Sequence, residues 1–108
     1  MVTWADAQRI GLGLAGAKPG VAPDGAPTVD IGRHPFARLR LDDAGREALQ
    51  FWSLGPDTEA VLAAERDVFF HVDTFPVKAS VWAWLDRLDE HELTEILTDS
   101  WRARRGVR

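Results

Sequence analysis

Val77-Lys78-Ala79-Ser80-Val81-Trp82-Ala83-Trp84-Leu85 is the stretch on which the fold turns. Val77, Ala79, Val81, Ala83 and Leu85 alternate with Lys78, Ser80, Trp82 and Trp84. A period of two marks a strand buried on one face. Its aliphatic face suits helices; its other face carries a cation and two indoles. The segment that follows has the helical period. Asp89 is a candidate N-cap with Glu92 at the third helical position, and Leu88 and Leu93 are spaced to staple the entry. Leu93, Ile96, Leu97 and Trp101 then form an apolar stripe.

Upstream lie three shorter strands. Thr28–Ile31 leads through a Gly32-Arg33-His34-Pro35 turn into Phe36–Leu41, and Asp42-Asp43-Ala44-Gly45 turns into Ala48–Leu54. Connections this short predict an antiparallel meander. Alternation within Phe36–Leu41 puts Phe36, Arg38 and Arg40 on one face and Ala37, Leu39 and Leu41 on the other. Gly55-Pro56-Asp57 opens a short helix to about Glu65, capped by Asp57, and Val68, Phe69 and Phe70 follow as a buried cluster. At the start, Thr3 caps a helix carrying Asp6 in the capping-box place and Trp4, Ala7, Ile10 and Leu14 on one face, with Gly16 as its stop. Residues 17–27 hold three prolines and two glycines and read as a loop. The order is α-β-β-β-α-β-α. It predicts an α+β fold: one antiparallel sheet of about four strands with helices packed on one face.

At 108 residues, with 45% apolar and 28% charged residues, the chain is a single globular domain over 1–108 with a basic tail at 102–108. The absence of cysteine excludes disulfides, thiolate metal sites and cysteine nucleophiles. No apolar run reaches a membrane span, and the Met-Val-Thr-Trp-Ala-Asp start lacks a signal-peptide pattern, so a cytoplasmic, bacterial-type protein is expected. Net charge is −4, unevenly placed. Four of the 13 basic residues (Arg102, Arg104, Arg105, Arg108) fall in the last eight positions, which leaves 9 against 17 acidic residues before them. That acidic body opposes strong nonspecific DNA binding but permits a local basic face.

Motifs for chemistry are thin. Gly11-Leu12-Gly13-Leu14-Ala15-Gly16 matches the glycine spacing of a dinucleotide loop. That loop needs a strand before it and a helix after it, and here the order is reversed, so the glycines are expected to serve close packing of the first helix. His91-Glu92-Leu93-Thr94-Glu95 begins like a zinc-protease helix with Glu95 in place of the second histidine, and reads as a solvated polar face. His34 and His71 complete no metal set. Neither catalytic residues, nor a metal, nor a cofactor is expected. The informative feature is the indole face of the last strand. Trp82, Trp84 and Lys78 would share a sheet surface with Arg38 and Arg40. Arginine beside tryptophan offers a platform for bases or for a protein partner, including a second copy.

The order and spacing of several segments resemble the MmcQ/YjbR family, with its double-wing, CyaY-like fold. They are Thr3-Trp4-Ala5-Asp6 with Arg9-Ile10 and Leu14; Ile31-Gly32-Arg33 with Phe36-Ala37-Arg38-Leu39; Pro56-Asp57 with Ala60 and Leu62; Asp67-Val68-Phe69-Phe70; and Val81 to Leu85 through Asp89, Glu92-Leu93 and Leu97 to Ser100-Trp101-Arg102. The resemblance spans roughly residues 3–105. The chain departs from it at Val72–Lys78, which lacks the family's usual histidine, and at Trp84, where the family usually has arginine. The resemblance implies a non-enzymatic binding domain carrying a DNA-binding label, with Arg38, Arg40, Lys78, Trp82, Trp84, Arg102 and Arg105 as expected contacts. A protein-interaction or homodimer module on the aromatic face is the alternative. The CyaY-like relation also implies iron binding on acidic helix residues, but the first helix offers only Asp6.

Overall fold

A computed structural model describes residues 2–53, 68–74 and 79–105. The described elements are α1 (Trp4–Leu12), β1 (Ala17–Val21), β2 (Pro27–Ile31), β3 (His34–Leu41), β4 (Glu47–Ser53), β5 (Phe69–Thr74), β6 (Ala79–Trp84), a 3-10 turn over Leu85–Arg87, and α2 (Glu90–Arg104). They make one antiparallel sheet in the order β1-β2-β3-β4-β6-β5. The fold is α+β, as the patterning predicts. None of its described helices is long and apolar enough to cross a membrane.

The sheet has six strands where about four were expected. The 17–27 loop is in fact β1 plus a hairpin turn. Proline removes a ladder donor, so a proline-bearing segment is misread as loop; an edge strand tolerates it, and Pro19 lies on the outermost strand opposite Val29. Gly25 turns the hairpin at φ +89°, and Asp24 Oδ1 accepts the Ala26 N–H at 3.0 Å. The Val68–Phe70 cluster enters the edge strand β5. The first helix ends at Leu12, short of Leu14, with Gly13 as its C-cap. The Asp57–Glu65 helix lies outside the described residues, as do Val77 and Lys78. His34 and Pro35, read as turn, already belong to β3.

The core lies between the sheet and α1 and α2. Register places Val29, Ala37, Phe51 and Val81 side by side across four strands, and Leu49 beside Ala83. All six are buried, together with Trp4, Ala7, Leu85, Leu88, Leu93 and Leu97. Phe36 corrects the expected alternation. The pairing slips between Val29 and Asp30, so that Val29 faces Ala37 while Asp30 faces Pro35. The extra residue in such a bulge swings out of the two-residue period, and both Phe36 and Ala37 are fully buried. Gly11 lies against this corner: a Cβ there would meet Val29 Cγ1 at 3.3 Å and Phe36 Cε2 at 3.6 Å. The close-packing role expected of the glycines thus holds for Gly11, whereas Gly13 ends the helix.

α2 is built as its sequence reads. Glu92 N–H donates to Asp89 Oδ1 at 2.7 Å, and Asp89 N–H donates to Glu92 Oε1 at 3.2 Å. Leu88 and Leu93 are both buried in the core. Replacing Asp89 by alanine removes the cap and is expected to lower unfolding free energy by about 1 kcal/mol in urea titrations, with Asp89→Ser retaining most of it. An Asp89→Ala protein as stable as the parent would show that the cap contributes nothing.

Candidate nucleic-acid interface on the sheet face away from the described helices

The alternate residues of the same strands point away from α1 and α2. Thr28, Arg38, Gln50 and Trp82 share one cross-strand row, and Arg40, Ala48 and Trp84 the next. The Arg40 guanidinium lies 4.6 Å from the Trp82 ring centroid, and its Nε donates to Gln50 Oε1 at 2.9 Å. Gln50 Nε2 in turn donates to Ser80 Oγ at 3.2 Å. Gln50 and Ser80 are buried although polar, which this chain of hydrogen bonds makes tolerable; the buried Thr28 hydroxyl donates instead to Asp30. Arg46, from the β3–β4 turn, stacks 3.9 Å from the Trp84 centroid and holds Asp86 through two bonds of 2.8 Å.

Two carboxylates temper the cations. Asp24 on the β1–β2 hairpin pairs with Arg38 at 2.5 Å, as Asp86 does with Arg46. The Ala26 N–H, and then Arg38, hold the Asp24 carboxyl below the ordinary aspartate value. Arg46 does the same for Asp86 and is itself raised by that pair. The Arg38 side chain is only 17% exposed, and its Nε has no hydrogen-bond partner among the described residues.

The structure therefore brings Arg38, Arg40, Trp82 and Trp84 onto one face, as the alternation predicts. Lys78 lies outside the described residues. Arg102 and Arg105 do not join the group. Arg102 pairs with Asp99 along α2 at 3.7 Å, and Arg105 lies 4.4 Å from the Trp101 centroid at the end of that helix. α2 covers the opposite side of the sheet, because its apolar stripe is spent there. Arg104 instead reaches the sheet's end: its Nε donates to the Pro35 carbonyl at 3.0 Å, and its guanidinium lies 4.6 Å from the Trp52 centroid. Burial lowers the proton affinity of Arg104.

Sequence reasoning missed Arg46, Gln50 and Trp52 as members of this face, whereas the alternation of the last strand places Ser80 there with Trp82 and Trp84. A signal existed for Gln50 and Trp52, since each takes the alternate place to Leu49 and Phe51 in its strand. Arg46 carried none, since it follows a turn. His91 and Glu95 meet at 3.1 Å on the exposed side of α2, and among the described residues no three His, Cys, Asp or Glu side chains converge as metal ligands. Compared with family models, curated proteins and solved structures, the chain matches none.

Proposed function

We propose that this chain is a non-enzymatic binding module of the MmcQ/YjbR type that works through the sheet face turned away from α1 and α2. One observation carries the reading: Arg40 on Trp82 and Arg46 on Trp84 form two adjacent cation–ring stacks on a face that neither α1 nor α2 covers. The segments that carry the resemblance fall partly on described elements. Ile31-Gly32-Arg33 and Phe36–Leu39 span the β2–β3 turn and strand, and Val81 through Arg102 run along β6 into α2. In the first reading the partner is nucleic acid, with guanidinium groups meeting phosphates and the planar groups meeting bases. In this reading the module acts in the cytoplasm.

Labelled-DNA anisotropy across a salt titration tests this, with duplex and single strands in parallel. Affinity is expected at low salt and should fall as salt rises. Arg40→Ala should weaken binding and reduce the salt slope by about one. No binding at low salt, or an unchanged slope in the variant, overturns the nucleic-acid reading.

A protein partner is the second reading, and the ion pairs favour it. Arg38–Asp24 and Arg46–Asp86 leave the face nearly balanced in charge, which suits phosphate poorly. A neutral surface rich in tryptophan and arginine is the composition of an interface core. Sedimentation at several concentrations separates the homodimer form, which a strict monomer excludes.

A further inference from the structure

Beside the arginine–tryptophan stacks, the same face holds a pocket of about 270 Å³. It lies between the β1–β2 hairpin, the β2–β3 turn and β4. Ala22, Pro23 and Trp52 give it apolar walls, and Thr28, Asp30 and Gln50 give it a polar floor. Arg33 and Arg38 bring positive charge to the lining. The size suits a group of roughly ten heavy atoms, at the small end of ligand sites.

The floor has hydrogen-bonding capacity to spare. Thr28 Oγ1 donates to Asp30 Oδ1 at 2.8 Å, so its lone pairs remain as acceptors. Asp30 accepts that one bond and keeps further lone pairs. Gln50 Nε2 spends one hydrogen on Ser80 and keeps the other. Acceptors from β2 thus stand beside a donor from β4. The floor is also fixed from behind. A Cβ on Gly20 would lie 2.7 Å from Thr28 Oγ1 and closer still to the Asp30 carboxylate, so a side chain there would force Thr28 and Asp30 to shift. Trp52 is fixed likewise, by Arg104 at its ring and by the bond from its N–H to Ser100. With Asp24 on Arg38, the lining is balanced: Arg33 and Arg38 against Asp30 and Asp24.

A neutral, planar ligand with donors and acceptors on one edge is what such a slot accommodates. From this we infer that the pocket takes a single unstacked nucleobase, its ring against Trp52 and its edge on Asp30, Thr28 and Gln50. Asp30 selects bases that carry an exocyclic amino group, because its carboxylate can only accept. Thymine, which lacks that group, is disfavoured. This inference rests on the nucleic-acid reading of the neighbouring stacks and gives it a reading head.

The test uses the full chain with free nucleosides and short single strands. Deoxycytidine, deoxyadenosine and thymidine are titrated while the Trp52 indole N–H is followed by NMR. Cytidine or adenosine should perturb Trp52 and bind about tenfold more tightly than thymidine. Asp30→Asn, which adds a donor without changing shape, should abolish that preference while leaving the fold's spectrum intact. An oligonucleotide that binds as well when abasic, with no nucleoside shift at Trp52, overturns the pocket but leaves the phosphate-contacting face standing. Nucleosides that bind with preference, while oligonucleotides bind no better, uphold the pocket and remove the nucleic-acid module. A cytidine preference unchanged in Asp30→Asn overturns the role given to Asp30.

Discussion

Phe36→Ala is expected to lower unfolding free energy by about 3–5 kcal/mol, the cost of deleting a fully buried phenyl ring. Phe36 is the largest side chain in the described core with no exposure at all. It sits where β3 bulges, against Val29 and the Gly11 corner of α1. Little is free to collapse into the space it would leave. The glycine supplies no side chain, and Val29 is held by two neighbouring strands. A small domain has about 5–15 kcal/mol in hand, so this one substitution would consume a large part of it. Chemical denaturation is the measurement, with the midpoint falling and the slope steady. Phe36→Leu, which keeps most of the volume, should recover more than half of the loss. A loss below about 1 kcal/mol for Phe36→Ala would place the ring outside the core.

Phe36 also shows where sequence reading stops. Period-two alternation sends it to the face of Arg38 and Arg40. The bulge opposite Val29–Asp30 sends it to the core, and a bulge is a property of two paired strands, invisible in either alone. β1 was obscured for a related reason. Pro19 and Gly20 argue against a strand in isolation, but at an edge the missing donor faces no partner and Asp30 fills the space that a side chain would need. Where one segment suffices, the reading held: the Asp89–Glu92 cap, the Leu88–Leu93 pair, and the division of β6 into Val81 and Ala83 inside with Trp82 and Trp84 outside. The candidate site was half legible. Arg40 could be placed near Trp82 by alternation, but the neutralising partners Asp24 and Asp86 come from turns whose positions depend on the folded chain. The arginine tail was misjoined to the site because helix phase, not charge, decides which side of the sheet Arg102 occupies.

Ser100→Ala should cost about 2–4 kcal/mol, although it removes only one oxygen. Ser100 is fully buried in α2. Its Oγ accepts the Trp52 N–H at 2.9 Å and donates to the Phe36 carbonyl at 2.5 Å. The bulge explains the need. A bulged residue is left out of the ladder, so the Phe36 carbonyl must find a donor elsewhere. The hydroxyl hydrogen-bonds both strands at once. Alanine would leave a backbone donor and a backbone acceptor buried without partners, each worth about 1–3 kcal/mol. Denaturation gives the total, and hydrogen exchange locates it: the Trp52 amide should lose protection first. Because Trp52 is a wall of the pocket, the variant should also bind nucleosides more weakly at temperatures where it remains folded. Full stability with an unchanged Trp52 amide would mean that neither strand depends on Ser100. The helix would then hold the site through Arg104, by its bond to the Pro35 carbonyl and its stack on Trp52, and not through Ser100.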